Sequence, residues 1–179
     1  MTEYYLDIET TGLDPNSDQI ITIQYQKLDP LGKLRILKSW ESSESKIIEE
    51  FLEIFLKEGI ETWKFIPVGY NLNFDFRFLS IRAKEVLEIE ISRDWFDSKP
   101  KIDIKDTYII ARQGEFRGTT LTNLVKKQGE NLDIPQLFFD KKYRMIENYV
   151  IDETKRFIHL YLFLKHNLGA LFDEYKPLQ

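Results

Sequence analysis

The sequence predicts an α/β fold, a mixed five-stranded sheet in which an antiparallel meander is extended by parallel strands and flanked by helices. Three strand-like runs separated by turn signals come first. Beyond them, stretches with apolar residues at helical spacing alternate with short apolar runs suited to buried strands. A meander followed by such alternation builds a mixed sheet with helices on its faces.

Glu3 to Ile8 reads as the first strand and ends at the turn-forming Thr10-Thr11-Gly12 and Asp14-Pro15. Gln19 to Leu28 alternates and is rich in Ile, Thr and Tyr; after Asp29-Pro30-Leu31-Gly32, Lys33 to Trp40 reads as its antiparallel neighbour. Ser43 to Lys57 places Ile47, Ile48, Phe51, Leu52, Ile54 and Phe55 on one helical face, with Ser43 and Ser45 as candidate caps and Gly59 beyond the end. Phe65 to Tyr70 suits a buried strand, and Phe74 to Val86 has helical spacing. Ile102 to Ile104 is the fifth strand, followed by helices expected at Thr107 to Arg112, Thr120 to Lys127 and Asp152 to Tyr175.

The 179 residues, 42% hydrophobic and 31% charged, suit a single domain over 1–179 with its own core. The absence of cysteine excludes disulfides, thiolate metal sites and thiol catalysis, leaving oxygen ligands for any metal. The acidic start MTEYYLDIETTG lacks the features of a signal peptide, and no apolar run approaches the ~20 residues needed to span a bilayer. The expectation is a cytoplasmic protein with no membrane partner. A net charge of −5 argues against indiscriminate polyanion binding, yet Lys99, Lys101, Lys105, Arg112, Arg117, Lys126, Lys127, Lys141, Lys142 and Arg144 concentrate in one stretch and leave room for a local basic groove.

Residues two apart on a strand share a face, so Asp7 and Glu9 project together while Leu6 and Ile8 face the opposite, buried side. Two carboxylates in a half-buried cleft repel, and a divalent cation is the usual reason to tolerate them. A bare Asp-x-Glu is common by chance. Farther on, Asn71 and Asp75 share one helical face if the turn is already wound at Asn71, which lets Asn71 order the loop while Asp75 reaches inward. Each could equally be a helix cap and a first-turn acid.

The string Asp7-Ile8-Glu9-Thr10-Thr11-Gly12-Leu13 resembles the first motif of the DnaQ-like, or DEDD, 3′→5′ exonucleases of the RNase H-like fold, and Asn71 to Asp75 resembles their second, Asn-x-x-x-Asp. Tyr70 to Arg82 resembles the proofreading domain of B-family DNA polymerases, Ile102 to Thr107 the Asp-Thr strand and helix after the second motif, and Thr119 to Leu124 the helix start beyond it. The family's third motif is His with Asp five later or Tyr with Asp four later. His159 and His166 are followed at that spacing by Leu164 and Leu171. Tyr149 has Glu153 four later, the tyrosine form with Glu for Asp; Asp152 is the alternative, and Tyr143 with Glu147 a more distant one. Glu153 is preferred because Phe157 and Leu160 follow it on the inward face.

The resemblance implies two Mg²⁺ or Mn²⁺ ions ~3.5–4 Å apart, bridged by Asp7, with Glu9 and Glu153 completing one position, Asp75 serving mainly the other, and Tyr149 orienting the attacking water. It implies a nucleic acid with a free 3′ end as substrate, single-stranded DNA ahead of RNA. It places Thr10, Thr11, Gly12, Leu13, Asn71 and Phe78 on the substrate side. Because the chain ends soon after its last helix, either a stand-alone nuclease or a proofreading partner of a separately encoded polymerase or repair factor is expected. The rival is a catalytically silent nucleic-acid-binding or interaction module that kept the fold and lost the third-motif Asp. His159 and His166 are seven apart, about 10 Å along a helix, and read as surface or packing residues; Trp63, Phe65 and Phe76 read as core aromatics.

Overall fold

The computed structural model describes residues 1–59, 64–92, 95–96, 98–124 and 132–174. It contains the expected mixed sheet, with strands β1 (Glu3–Thr10), β2 (Ile20–Lys27), β3 (Arg35–Lys38), β4 (Ile66–Gly69) and β5 (Ile102–Asp103) in the order β3-β2-β1-β4-β5. The first three pair antiparallel, and β4 and β5 join parallel. Helices α1 (Glu44–Gly59), α2 (Leu72–Leu87), α3 (Ile104–Ala111), α4 (Leu121–Leu124), α5 (Ile134–Phe139) and α6 (Tyr143–Glu174) complete the described elements. None is long and apolar enough to cross a membrane.

Alternation along β1 divides the interior. Leu6 and Ile8 enter one core with Phe51 and Phe55 of α1 and Leu72, Phe76, Phe78 and Leu79 of α2. Tyr5 points to the other face, against Phe157, Ile158 and Tyr161 of α6, where its ring lies 5.0 Å from that of Phe157. Asp7 and Glu9 therefore lie on the face that α6 covers, and α2 approaches from the opposite one.

Several boundaries differ from those read in the sequence. β3 stops at Lys38, where Trp40 leaves the ladder to stack on Tyr143 at 4.9 Å. Ser43 caps α1 by accepting the Lys46 N–H at 3.2 Å, but the helix runs through Gly59 instead of stopping before it. α3 begins at Ile104, three residues early, because Asp103 caps it. The continuation expected beyond Leu124, including Lys126 and Lys127, lies outside the described residues, as does Trp63.

The largest difference is α6, which starts at Tyr143 and not at Asp152. Its buried stripe is Ile146, Val150, Thr154, Phe157 and Tyr161, at helical spacing throughout, whereas Leu160, Leu164 and Leu168 are only half-buried. Tyr149 is consequently inside the helix, one turn before Glu153, instead of preceding it. α5 was not expected at all: Asp133 accepts the Gln136 N–H at 3.0 Å, and Pro135 sits where a missing donor costs nothing.

Candidate active site

Three elements end together. The ladder between β1 and β4 covers only Glu3 to Tyr5, because β4 stops at Gly69 and the chain turns into α2. Glycine is required there: a Cβ on Gly69 would come 2.7 Å from the Leu6 carbonyl oxygen. Past that point β1 has no strand on this edge, and Asp75 takes the place of one, its Oδ1 accepting the Ile8 N–H at 3.0 Å. Asp75 is buried, and burial first and the Asp7 charge second raise its carboxyl well above the usual range.

Asp7 is half-buried opposite Gln24 of β2. Its Oδ2 accepts Gln24 Nε2 at 2.7 Å and the Tyr5 hydroxyl at 3.2 Å, and Gln24 is itself oriented by Thr22, whose hydroxyl donates to Oε1 at 2.9 Å. Desolvation and then the Glu153 carboxylate push the Asp7 carboxyl up to about 7. The Tyr149 hydroxyl is held protonated, its pKa raised by burial and by the charges of Glu153, Glu9 and Asp7, with a hydrogen bond to Glu153. Asp7, Glu9, Tyr149 and Glu153 are thus within electrostatic reach of one another, with Asp75 beside Asp7. Asp152 faces away, exposed and paired with Arg156 at 2.7 Å. Among the described residues no three acids stand close enough to form a ready ligand group.

The donor set is carboxylate oxygen alone, in a setting where burial and neighbouring charge raise Asp7 and Asp75, and that chemistry fits a hard divalent cation. Asp7, Glu9, Asp75 and Glu153 would hold it.

The loop after β1 is internally braced. Thr10 Oγ1 donates to the Gly12 carbonyl at 2.6 Å, Thr11 Oγ1 accepts the Gln19 N–H at 3.0 Å, and Asp18 receives the Asp14 N–H at 2.9 Å. Leu13 is left 81% exposed at its tip. Phe78 must be reassigned from the substrate side: it is 0% exposed and packs on Phe74 at 4.8 Å, because α2 turns it into the core. His159 and His166 are exposed.

Asn71 does not share a wound turn with Asp75. It has φ 64, a left-handed conformation, and its side chain makes no cap bond. The cap is supplied across the sheet by Asp103, a residue whose role sequence reasoning missed: Oδ1 accepts Asn71 N–H at 2.8 Å and Lys105 N–H at 3.0 Å, and Oδ2 accepts Leu72 N–H at 2.8 Å. The signal was Asp103 followed three residues later by Asp106 at a helix start. One carboxylate thus ties two helix beginnings and sets where Asp75 falls. Asp103→Ala is expected to cost about 1–3 kcal/mol, read as an earlier urea midpoint; a midpoint equal to the parent's would show that the loop holds itself.

A family model of the RNase H superfamily matches residues 4–168. An uncharacterized protein of Methanocaldococcus jannaschii is 30% identical over 138 residues, 76% of this chain and 70% of that protein. Among solved structures, the family B DNA polymerase of Pyrobaculum calidifontis superposes with a TM-score of 0.68 at 20% identity, covering 92% of this chain and 24% of the polymerase. Exonuclease I of E. coli, in complex with a dT13 oligonucleotide, superposes with a TM-score of 0.59 at 14% identity, covering 96% of this chain and 42% of that enzyme. The chain therefore spans less than half of either solved relative. Mixed sheet, family match and the two acidic motifs agree, and the chain belongs to the RNase H superfamily.

Proposed function

We propose that this protein is a metal-dependent 3′→5′ exonuclease that hydrolyses single strands, DNA ahead of RNA, to 5′-mononucleotides. The observation that carries the reading is the gathering of Asp7, Glu9, Glu153 and Tyr149 on the α6 side of β1, with Asp75 bound to the same strand end. The polarity rests on the resemblance of the first two motifs, and exonuclease I, solved with dT13, has the same fold.

In the proposed step the oxygen of a water bonds to phosphorus, the bond to the 3′ oxygen of the preceding nucleotide breaks, and that oxygen takes up a proton. Two Mg²⁺ or Mn²⁺ ions would supply the charge neutralisation for both the entering and the leaving oxygen. The protein's own part is positional. Tyr149, held protonated and donating to Glu153, can accept from the water and orient it, while Gln24 and Tyr5 fix the Asp7 carboxylate from behind.

A strand blocked at its 3′ end is expected to resist degradation, and one blocked at its 5′ end to be consumed with release of mononucleotides. Equal protection by the two blocks, or cutting of a closed circle, would remove the exonuclease reading. Glu153, standing where the tyrosine-type motif has Asp, favours the second reading, a silent nucleic-acid-binding module. The same assay separates them, since a silent module releases no mononucleotide beyond what Asp7→Ala does.

A further inference from the structure

The rotation of α6 about its own axis is set by its inner stripe, in which Val150, Thr154, Phe157 and Tyr161 are all buried. Each helical residue advances by about 100°, which puts Arg156, His159, Phe163, His166, Ala170 and Glu174 on the opposite side. All six are exposed. A helix face turned away from its core is expected to be polar, yet this one has Phe163 at its centre, 59% exposed, with Leu162 beside it at 44%. Ala170, two turns farther on, is small enough to let a second backbone come near.

Charge along this face is segregated. Lys155 and Arg156 lie about two turns before Phe163, and Asp173 and Glu174 about three turns after it; all four are exposed. Such an order is complementary to itself only when a second identical helix runs the other way. With two copies centred between Leu164 and Lys165, Lys155 and Arg156 of each come level with Asp173 and Glu174 of the other, and Phe163 comes level with His166. A parallel pair would set like charges side by side, whereas the antiparallel one is a closed two-fold contact. Arg156 also holds Asp152 at 2.7 Å, but a guanidinium has five N–H donors and can serve a second acid.

We propose that two copies of this chain pair antiparallel through the outward face of α6, with Phe163 and Leu162 at the middle and the Lys155-Arg156 and Asp173-Glu174 pairs matched at both ends. The contact lies away from the acidic site: Lys165 meets Glu3 at the start of β1, and Asp7 and Glu9 stand towards the end of that strand. The two Glu153 residues would be about 35 Å apart along the helix axis, at opposite ends of the pair. One pair of helices buries less than a standard interface, so association is expected to be weak and to depend on concentration. The inference is independent of the nuclease reading.

The test is sedimentation velocity of the full chain from about 1 to about 200 μM. The parent is expected to move from monomer towards dimer across that range. Phe163→Asp should weaken association about tenfold or more, and so should each of two double reversals, Lys155→Glu with Arg156→Glu and Asp173→Lys with Glu174→Lys, because each sets like charges together at both ends. An equal mixture of the two double reversals should dimerise again, since acidic then meets basic at both ends of the mixed pair; that recovery also shows that both variants are folded. A parent that stays monomeric throughout, parent-like association in Phe163→Asp or in either reversal, or a mixture no more associated than its components would overturn the proposal.

Discussion

Glu153→Gln is expected to lower mononucleotide release by about a hundredfold or more, since loss of even an outer-shell partner of a metal costs 10–100-fold and this group is proposed to hold the cation itself. Asp152→Asn should leave the rate within about twofold, because an exposed ion pair contributes at most about 1 kcal/mol and Asp152 points away, paired with Arg156 at 2.7 Å. Adjacent residues on a helix diverge by about 100°, so the two acids cannot readily serve one ion. Glu153 has the Asp7 carboxylate and the Tyr149 hydroxyl as neighbours. Glu153→Asp is the sharper comparison: it restores the residue of the tyrosine-type motif and shortens the arm by one methylene, so a rise in rate would show that the longer arm is a compromise. Retained turnover in Glu153→Gln with collapse in Asp152→Asn would put the third acid one residue earlier.

The fold was legible because strand and helix periods differ and the chain keeps them apart. Alternation through Tyr5-Leu6-Asp7-Ile8-Glu9 placed the carboxylates opposite Leu6 and Ile8, as observed. The start of α6 was not legible. Its first turns read Tyr-Arg-Met-Ile-Glu-Asn-Tyr-Val, where only Ile146 and Val150 are buried, and two buried apolar residues in a polar run give a weak period. Phe78 misled for a different reason. Position in a motif says which residues are near a site, but only the angle around α2 says which face the core, and Phe78 lies on the buried side with Leu79.

The cap that Asp103 gives to α2 was illegible because Asn71 and Leu72 are distant from it in sequence. A cap is sought in the residue before a helix, and Asn71 occupies that place; its left-handed backbone turns the task over to a carboxylate 32 residues away. Distance in sequence likewise hides Gln24 behind Asp7 and Arg82 beside Glu44, where a 2.7 Å ion pair and the Ile20 N–H, also at 2.7 Å from Glu44, brace the far end of the Leu13 loop. Carboxylate pairs advertise a site, whereas the groups that aim them are ordinary residues until the fold brings them together.

In EDTA, Asp7→Asn is expected to melt higher than the parent at pH 8, and Mn²⁺ or Mg²⁺ to raise the melting temperature of the parent only. The sign follows from linkage. The Asp7 carboxyl is raised to about 7 in the folded protein, against about 3.9 for an unperturbed aspartate. Between those values the folded chain holds a proton that the unfolded chain has released, so stability falls as pH rises through the window and the full penalty is present above 7. Asp75, raised by burial and by Asp7, acts in the same direction. Asparagine removes the charge yet can leave an oxygen where Oδ2 accepts Gln24 and Tyr5, so the packing survives. The advantage of the variant should therefore shrink on going from pH 8 to about 4, where the parent carboxyl is protonated in the folded state. A divalent cation opposes the same repulsion by binding only the folded state, and it competes with the proton, so its stabilisation should be large at pH 8 and fade below 7. At a concentration about a hundredfold above its dissociation constant the gain is about 2.7 kcal/mol. A metal-induced shift that survives in Asp7→Asn would place the ion elsewhere. A parent that is no less stable at pH 8 than at pH 5 in EDTA would mean that Asp7 is not strained by its acidic neighbours.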